Sequence, residues 1–225
     1  MGALSAVRLL VWKDLTLELR TKEILTAMAV FALLSAVIFN FAFSPSPAQA
    51  VTLLPGMLWV TLAFAATLGL SRSFVLERDQ QCLEALRLFP TDRSLIYLGK
   101  AAANLLFLLL VEALILPAMA VISGIALLPH LLPLALVMLL GSIGLVAVGT
   151  IFSAMSVNTR IREVLLPVLL FPIASPVLIS GVKATAGILA GRPLLEVLPG
   201  VRILAVFDVM FVVLGYVIFE FLLEE

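Results

Sequence analysis

An all-helical bundle threaded through a lipid bilayer is the fold class this sequence predicts, and three observations predict it. Hydrophobic residues make up 63% of the 225-residue chain and charged residues only 12%, a balance that a water-soluble domain of this size does not keep. Apolar runs of about 20 residues, enough helix to cross a hydrocarbon core about 30 Å thick, recur six times. The runs lack the alternation of a barrel strand, which leaves helices as the way to satisfy their backbone amides in lipid.

The first element precedes those runs. Residues 1–23 read as a helix rich in Leu, Glu, Lys and Arg, with Leu4, Val7, Val11, Leu15 and Leu19 recurring at helical spacing and Arg8 and Glu18 interrupting the face. Trp12 beside Lys13 suits the headgroup zone, so this helix is expected to lie along the inner leaflet. Ala48-Gln49-Ala50 imitates a signal-peptide cleavage site. The leader, however, mixes Asp14, Glu18 and Glu23 with its bases, and the apolar run is long enough to span, so 1–23 is expected to be retained.

The spans follow over 24–43, 51–71, 101–123, 131–157, 164–182 and 203–223. Basic residues orient them, because Lys and Arg stay on the cytoplasmic side. With the amino terminus inside, the inner segments hold Arg8, Lys13, Arg20, Lys22, Arg72, Arg78, Arg87, Arg93, Lys100, Arg160 and Arg162, and the outer ones only Lys183, Arg192 and Arg202. Both termini are therefore expected in the cytoplasm. The whole chain, 1–225, reads as one transmembrane domain.

Two connections are long enough to carry structure. In the cytoplasmic interval 72–100, Val75, Cys82, Leu86 and Phe89 recur near a helical period, while Glu77, Arg78, Asp79, Gln80, Glu84 and Arg87 occupy other positions. Pro90 stops this helix, and Thr91 or Asp92 can cap the next, which runs through Arg93 into the third span. In the outer interval 183–202, Gly187, Gly191, Pro193, Pro199 and Gly200 punctuate an apolar stretch, and one or two short helices dipping into the outer leaflet are expected.

Several chemistries are excluded. The lone Cys82 rules out a disulfide framework and a multi-cysteine metal site. Gly99-Lys100 is followed by Ala101 and preceded at five residues by Ser94, so the phosphate-cradling spacing G-x-x-x-x-G-K-[ST] is missing and no nucleotide site is expected. No catalytic constellation or metal site is read from the chain.

Within the spans, charge and backbone breakers carry the information, since a charge facing lipid costs several kcal/mol. Glu112, midway along the third span, is expected either to be protonated or to pair with a polar group of a neighbouring helix or a second copy, as a structural hydrogen bond or as a part of gating. Asp208, near the outer end of the sixth, is placed to meet Arg202 or Lys183. Pro167, Pro172 and Pro176 predict a kinked fifth span packed against protein. Gly141, Gly144 and Gly149 predict close helix packing along the fourth.

The chain resembles the haem exporter protein B (CcmB) family nearly end to end. The pieces are Trp12-Lys13-Asp14-Leu15, Arg20-Thr21-Lys22-Glu23, Ile38-Phe39-Asn40-Phe41-Ala42-Phe43 and Gly69-Leu70-Ser71-Arg72-Ser73-Phe74. They continue as Leu83-Glu84-Ala85-Leu86, Pro90, Asp92-Arg93, Leu98-Gly99-Lys100 and Arg162-Glu163-Val164-Leu165-Leu166-Pro167, and close with Phe207-Asp208 and Phe219-Glu220. Gln81 departs from the family, where Gly often precedes the Leu-Glu pair.

The resemblance implies an ABC-2-like permease half-transporter in the bacterial inner membrane, working in c-type cytochrome biogenesis. It implies a coupling helix over 74–89 that docks on a separate ABC ATPase subunit. Leu83, Leu86 and Phe89 would be its anchors, with Glu77, Arg78, Asp79, Glu84, Arg87 and Arg93 around them. Two ATPase copies, a second copy of this chain, a haem-handling membrane subunit, a periplasmic haem chaperone and membrane lipid are the implied partners, with no nucleic acid. ATP would bind the ATPase subunit, and haem would be a substrate, either exported or released with its chaperone.

His130, the only histidine, could serve as an axial haem ligand. An exposed loop imidazole is the commoner arrangement, and neither a Cys-x-x-Cys-His motif nor a tryptophan-rich platform accompanies it, so haem handling is expected on partner subunits. Two alternatives stay open: an exporter of the same architecture for a drug, lipid or glycan, and a membrane scaffold that transports nothing.

Overall fold

A computed structural model describes residues 2–43, 45, 47–75, 92–156, 159 and 162–222. Helices make up nearly all of it: α1 (Ala3–Thr21), α2 (Glu23–Phe43), α3 (Pro47–Ser73), α4 (Arg93–Ser123), a 3-10 turn (Leu128–His130), α5 (Leu131–Ser156), α6 (Arg162–Leu189) and α7 (Leu194–Leu222). Six of them, α2 to α7, are long and apolar enough to cross a membrane. Residues 76–91 lie outside the described residues, and with them Glu77, Arg78, Asp79, Leu83, Glu84, Leu86, Arg87 and Phe89.

Helix α5 is the hub, packed against α3, α4, α6 and α7. It can be surrounded because its glycines let neighbours come close. A side chain at Gly141 would overlap the Trp59 ring of α3, one at Gly149 would meet Leu70, and one at Gly144 would meet Asp208 and Phe207 of α7. Trp59 is fully buried in a slot between Gly141 and Gly181 of α6. Its indole N–H donates to Thr185 Oγ1 at 3.0 Å, which satisfies the one polar atom of an otherwise apolar ring.

Helix α1 docks on α4, but not through the face its leucines suggest. The buried stripe is Ala6, Leu10, Asp14 and Glu18, whereas Leu4 and Trp12 are 89% and 69% exposed and Leu19 is also exposed. Small size at Ala6, a close seat for Leu10 against Gly99 and specific partners for both acids outweigh simple hydrophobicity. The outward face, with Trp12, Leu19, Lys13 and Arg20, has the mixed character of a headgroup-facing helix.

A sharp corner joins α1 to α2. Lys22 adopts the left-handed conformation (φ 57°, ψ 17°) and its N–H bonds Glu18 O at 2.7 Å. The Glu18 carboxylate then accepts the Leu25 N–H at 2.8 Å, capping an orphan donor in the first turn of α2 and complementing the positive end of its dipole.

Three expectations about α6, α7 and their connection are corrected. The separate short helices expected over 183–202 do not form. α6 continues to Leu189 and α7 starts at Leu194, so only a four-residue connection remains, with Gly191 at φ +66° providing the reversal. The three prolines of α6 lie in one continuous helix, and Pro172 and Pro176 face outward instead of into protein. Pro176 has no N–H to offer the Pro172 carbonyl, and Ser175 Oγ donates to that carbonyl at 2.8 Å instead, so the lost backbone bond is replaced locally. Asp208 meets neither Arg202 nor Lys183. Both of its carboxylate oxygens are buried without a hydrogen-bond partner among the described residues, because Asp208 turns toward Gly144 of α5 while the two bases stay exposed.

Candidate functional site

Helix α3 ends at Ser73 and α4 begins at Arg93. Both of these flanks are tied into one buried polar cluster. Ser73, the last residue of α3, accepts from Lys100 Nζ through its carbonyl at 2.9 Å and from Asn104 Nδ2 through its hydroxyl at 2.9 Å. Lys100 also forms an ion pair with Asp14 of α1 at 3.0 Å, with both side chains more than nine-tenths buried. Its ammonium lies 5.2 Å from the centre of the Phe74 ring.

Each contact has a reason. The end of a helix leaves carbonyls without intrahelical partners, and a cation there opposes the negative end of the dipole. Lys100 supplies both functions for α3, and Ser153 of α5 donates to the Leu70 carbonyl at 2.5 Å. Asn104 reaches Thr150 of α5 at 3.4 Å. A buried ammonium is tolerable only when it is paired and hydrogen-bonded, and here a carboxylate, a carbonyl and an aromatic face surround it. Lys13 lies 3.0 Å from the other Asp14 oxygen.

An aromatic wedge adjoins the cluster. Phe74 lies 6.1 Å from Phe219 of α7, and Tyr97 of α4 lies 5.6 Å from the same ring. Tyr97 threads between α5 and α7, its hydroxyl 3.2 Å from the Ala147 carbonyl and 3.4 Å from that of Phe211. Gly215 leaves room for its ring. The end of α3 and the start of α4 are thereby fixed to α1, α5 and α7 together.

Of the residues singled out from sequence, Arg93 stands at the root of α4, half-buried. Asp92 precedes it as the N-cap without a side-chain cap bond; its carbonyl accepts the Leu95 N–H at 2.9 Å. Glu112 is buried on α4 and accepts a hydrogen bond from Ser142 of α5, the interhelical polar contact expected of it. His130 sits half-buried in the 3-10 turn before α5. No group of three or more potential metal ligands occurs among the described residues.

Asp14, Glu18, Lys100 and Asn104 were not among the sequence candidates. A signal existed: Asp14 and Glu18, and likewise Lys100 and Asn104, are spaced i,i+4 and so share a helix face, the second pair opening a long apolar helix.

Comparison with known proteins agrees with this architecture. The sequence profile of the family described as CcmB protein matches residues 5–221. The Heme exporter protein B of Pseudomonas aeruginosa is 31% identical over 175 residues, covering 77% of each chain. That of Bradyrhizobium diazoefficiens is 29% identical over 191 residues, covering 85% of this chain and 84% of its own, and that of Rhodobacter capsulatus is 29% identical over 177 residues, covering 79% and 81%. A match this continuous, over a chain with six membrane-crossing helices, makes this protein a member of the CcmB family.

Proposed function

We propose that this chain is the membrane subunit of an ATP-driven complex for haem export, or for release of a haem-loaded chaperone, in c-type cytochrome biogenesis. The relatives carry the name Heme exporter protein B, which supports the haem assignment and a bacterial inner-membrane location. ATP hydrolysis belongs to a partner ABC ATPase, since the phosphate-binding loop spacing is missing from this sequence. Two copies of this chain and two of the ATPase would make up the transporter, alongside a haem-handling membrane subunit and a periplasmic haem chaperone.

The observation that carries the mechanical part is the buried cluster of Ser73, Lys100, Asp14 and Asn104 at the root of segment 74–89. In this mechanism the segment docks on the ATPase through Leu83, Leu86 and Phe89, with Glu77, Arg78, Asp79, Glu84 and Arg87 fixing its register. Approach of the two ATPases on binding nucleotide pushes the segment. The flanking helices α3 and α4 are tied through this cluster to α1, α5 and α7 in a bundle packed too tightly to deform continuously, so the push is passed to those helices together.

The pair Glu84→Lys and Arg87→Glu tests this reading. Copurification of the ATPase subunit and the yield of mature c-type cytochrome should both fall sharply, while the chain still inserts in the membrane. Survival of both would overturn the coupling role and leave a non-transporting scaffold. Loss of ATPase binding with normal cytochrome c would assign the chain to export of another substrate, such as a drug, lipid or glycan.

A further inference from the structure

A cleft of about 820 Å³ opens between α6 and α7 beside their short connection, lined by Pro176, Ile179, Lys183, Arg192, Val197 and Ile203 among others. Its chemistry is graded along its length. Lys183, Arg192 and Glu196 mark the end nearest the connection, and Ser175, Pro176, Ile179 and Ile203 line the far end. From Ser175 to Gly187 the wall is thirteen residues of helix, a rise of about 18 Å. One leaflet's share of the hydrocarbon core is about 15 Å. The cleft is thus charged at one membrane face, apolar beneath it and as deep as a single leaflet.

The cations are brought together by the fold. Arg192 N donates to Gly187 O at 3.0 Å, closing the end of α6. A Cβ at Gly187 would stand 3.9 Å from Arg192 Cδ, so the arginine stem lies over α6 one turn above Lys183. Glu196 offers Arg192 a long contact of 4.0 Å. Lys183 has no ion-pair partner among the described residues. The mouth carries one positive charge more than it neutralises, and the apolar walls are open to the side, with Ile179 and Ile203 about half exposed.

We propose that this cleft binds an anionic phospholipid, its phosphate held between Lys183 and Arg192 and an acyl chain laid along Ile179 and Ile203. Charge complementarity selects the head, and the match between cleft depth and leaflet thickness selects a chain-bearing amphiphile. Haem, the other acidic amphiphile in question, would find no histidine, methionine, cysteine or tyrosine for its iron among the lining residues. A bound lipid here would wedge α6 against α7, the two helices farthest in sequence from the coupling segment. The inference does not depend on the transport reading.

Native mass spectrometry of the full chain, purified from nanodiscs of mixed phosphatidylglycerol and phosphatidylcholine, tests it. Phosphatidylglycerol should be retained preferentially, and the Lys183→Gln, Arg192→Gln double variant should lose that preference by about 30-fold, two surface cations' worth of attraction. Ile203→Trp, at an exposed position, should block retention while leaving both cations in place. Equal retention of the two lipids, or unchanged selectivity in the double variant, overturns the proposal. Haemin added as a competitor should leave the lipid bound; displacement that depends on Lys183 and Arg192 would assign the cleft to haem and overturn it as well.

Discussion

Lys100 occupies a position where composition rules mislead. Counted by side, it is one more cytoplasmic base; in the folded chain it is a buried cation bonded to Asp14 and Ser73. The positive-inside rule concerns which face a charge is on and is blind to its depth, so the role of this residue was not readable from it. Glu112 was readable, because a carboxylate in mid-span has few ways to survive, and the hydroxyl of Ser142 is one of them. Asp208 was recognised as important but its neighbourhood was not, since sequence distance to Arg202 and Lys183 says nothing about which way a helix is rotated. The cluster makes a specific prediction. Lys100→Met leaves Asp14 buried without its main counter-charge and should destabilise the chain by about 3–5 kcal/mol, whereas Asp14→Asn with Lys100→Met should recover most of that loss. Thermal unfolding of the detergent-solubilised variants measures both. Equal losses in the single and double variants would show that the two groups do not act as a pair.

At the scale of elements, the spans were legible because bilayer thickness forces about twenty apolar residues into helix whatever the tertiary context. Their ends were less so. The start of α4 at Arg93 was readable from Pro90 and the capping position at Asp92, whereas α6 runs to Leu189, past the span read over 164–182, because a helix propagates through polar residues when its backbone has no cheaper partner. The rotation of α1 was not legible: Leu4, Leu9 and Leu19 are exposed while Asp14 and Glu18 are buried beside Ala6 and Leu10, an outcome that depends on partners carried by α4. This docking is testable at Gly99, where a Cβ would stand 2.7 Å from Leu10 Cβ. Gly99→Leu should cost about 1–3 kcal/mol of local packing and lift α1 from α4. A cysteine placed at the fully buried Ala6 should then react quickly with a membrane-impermeant maleimide in opened membranes, and slowly when Gly99 is kept. Equal labelling rates would mean that α1 does not rest on this seat.

For the molecule as a whole, the single hub α5 and the apolar exposed stripes on α2 (Val30, Leu34, Ile38, Phe41) and α7 (Val206, Val209, Met210, Val213, Val217) describe a bundle that keeps its polar groups inside and presents hydrocarbon outward. Class, span number and family were all readable before any coordinates, because each rests on composition, length or ordered short motifs. The polar cluster was hidden because it is assembled from α1, α3, α4 and α5, four segments distant in sequence. The account rests on the claim that a chain without its own nucleotide site takes its motion from segment 74–89. A photoreactive residue substituted at Leu83 and activated in membranes containing the whole complex tests that claim most directly. The account predicts a cross-link to the ATPase subunit that changes in yield when a non-hydrolysable nucleotide is added; cross-links confined to lipid or to periplasmic proteins would contradict it.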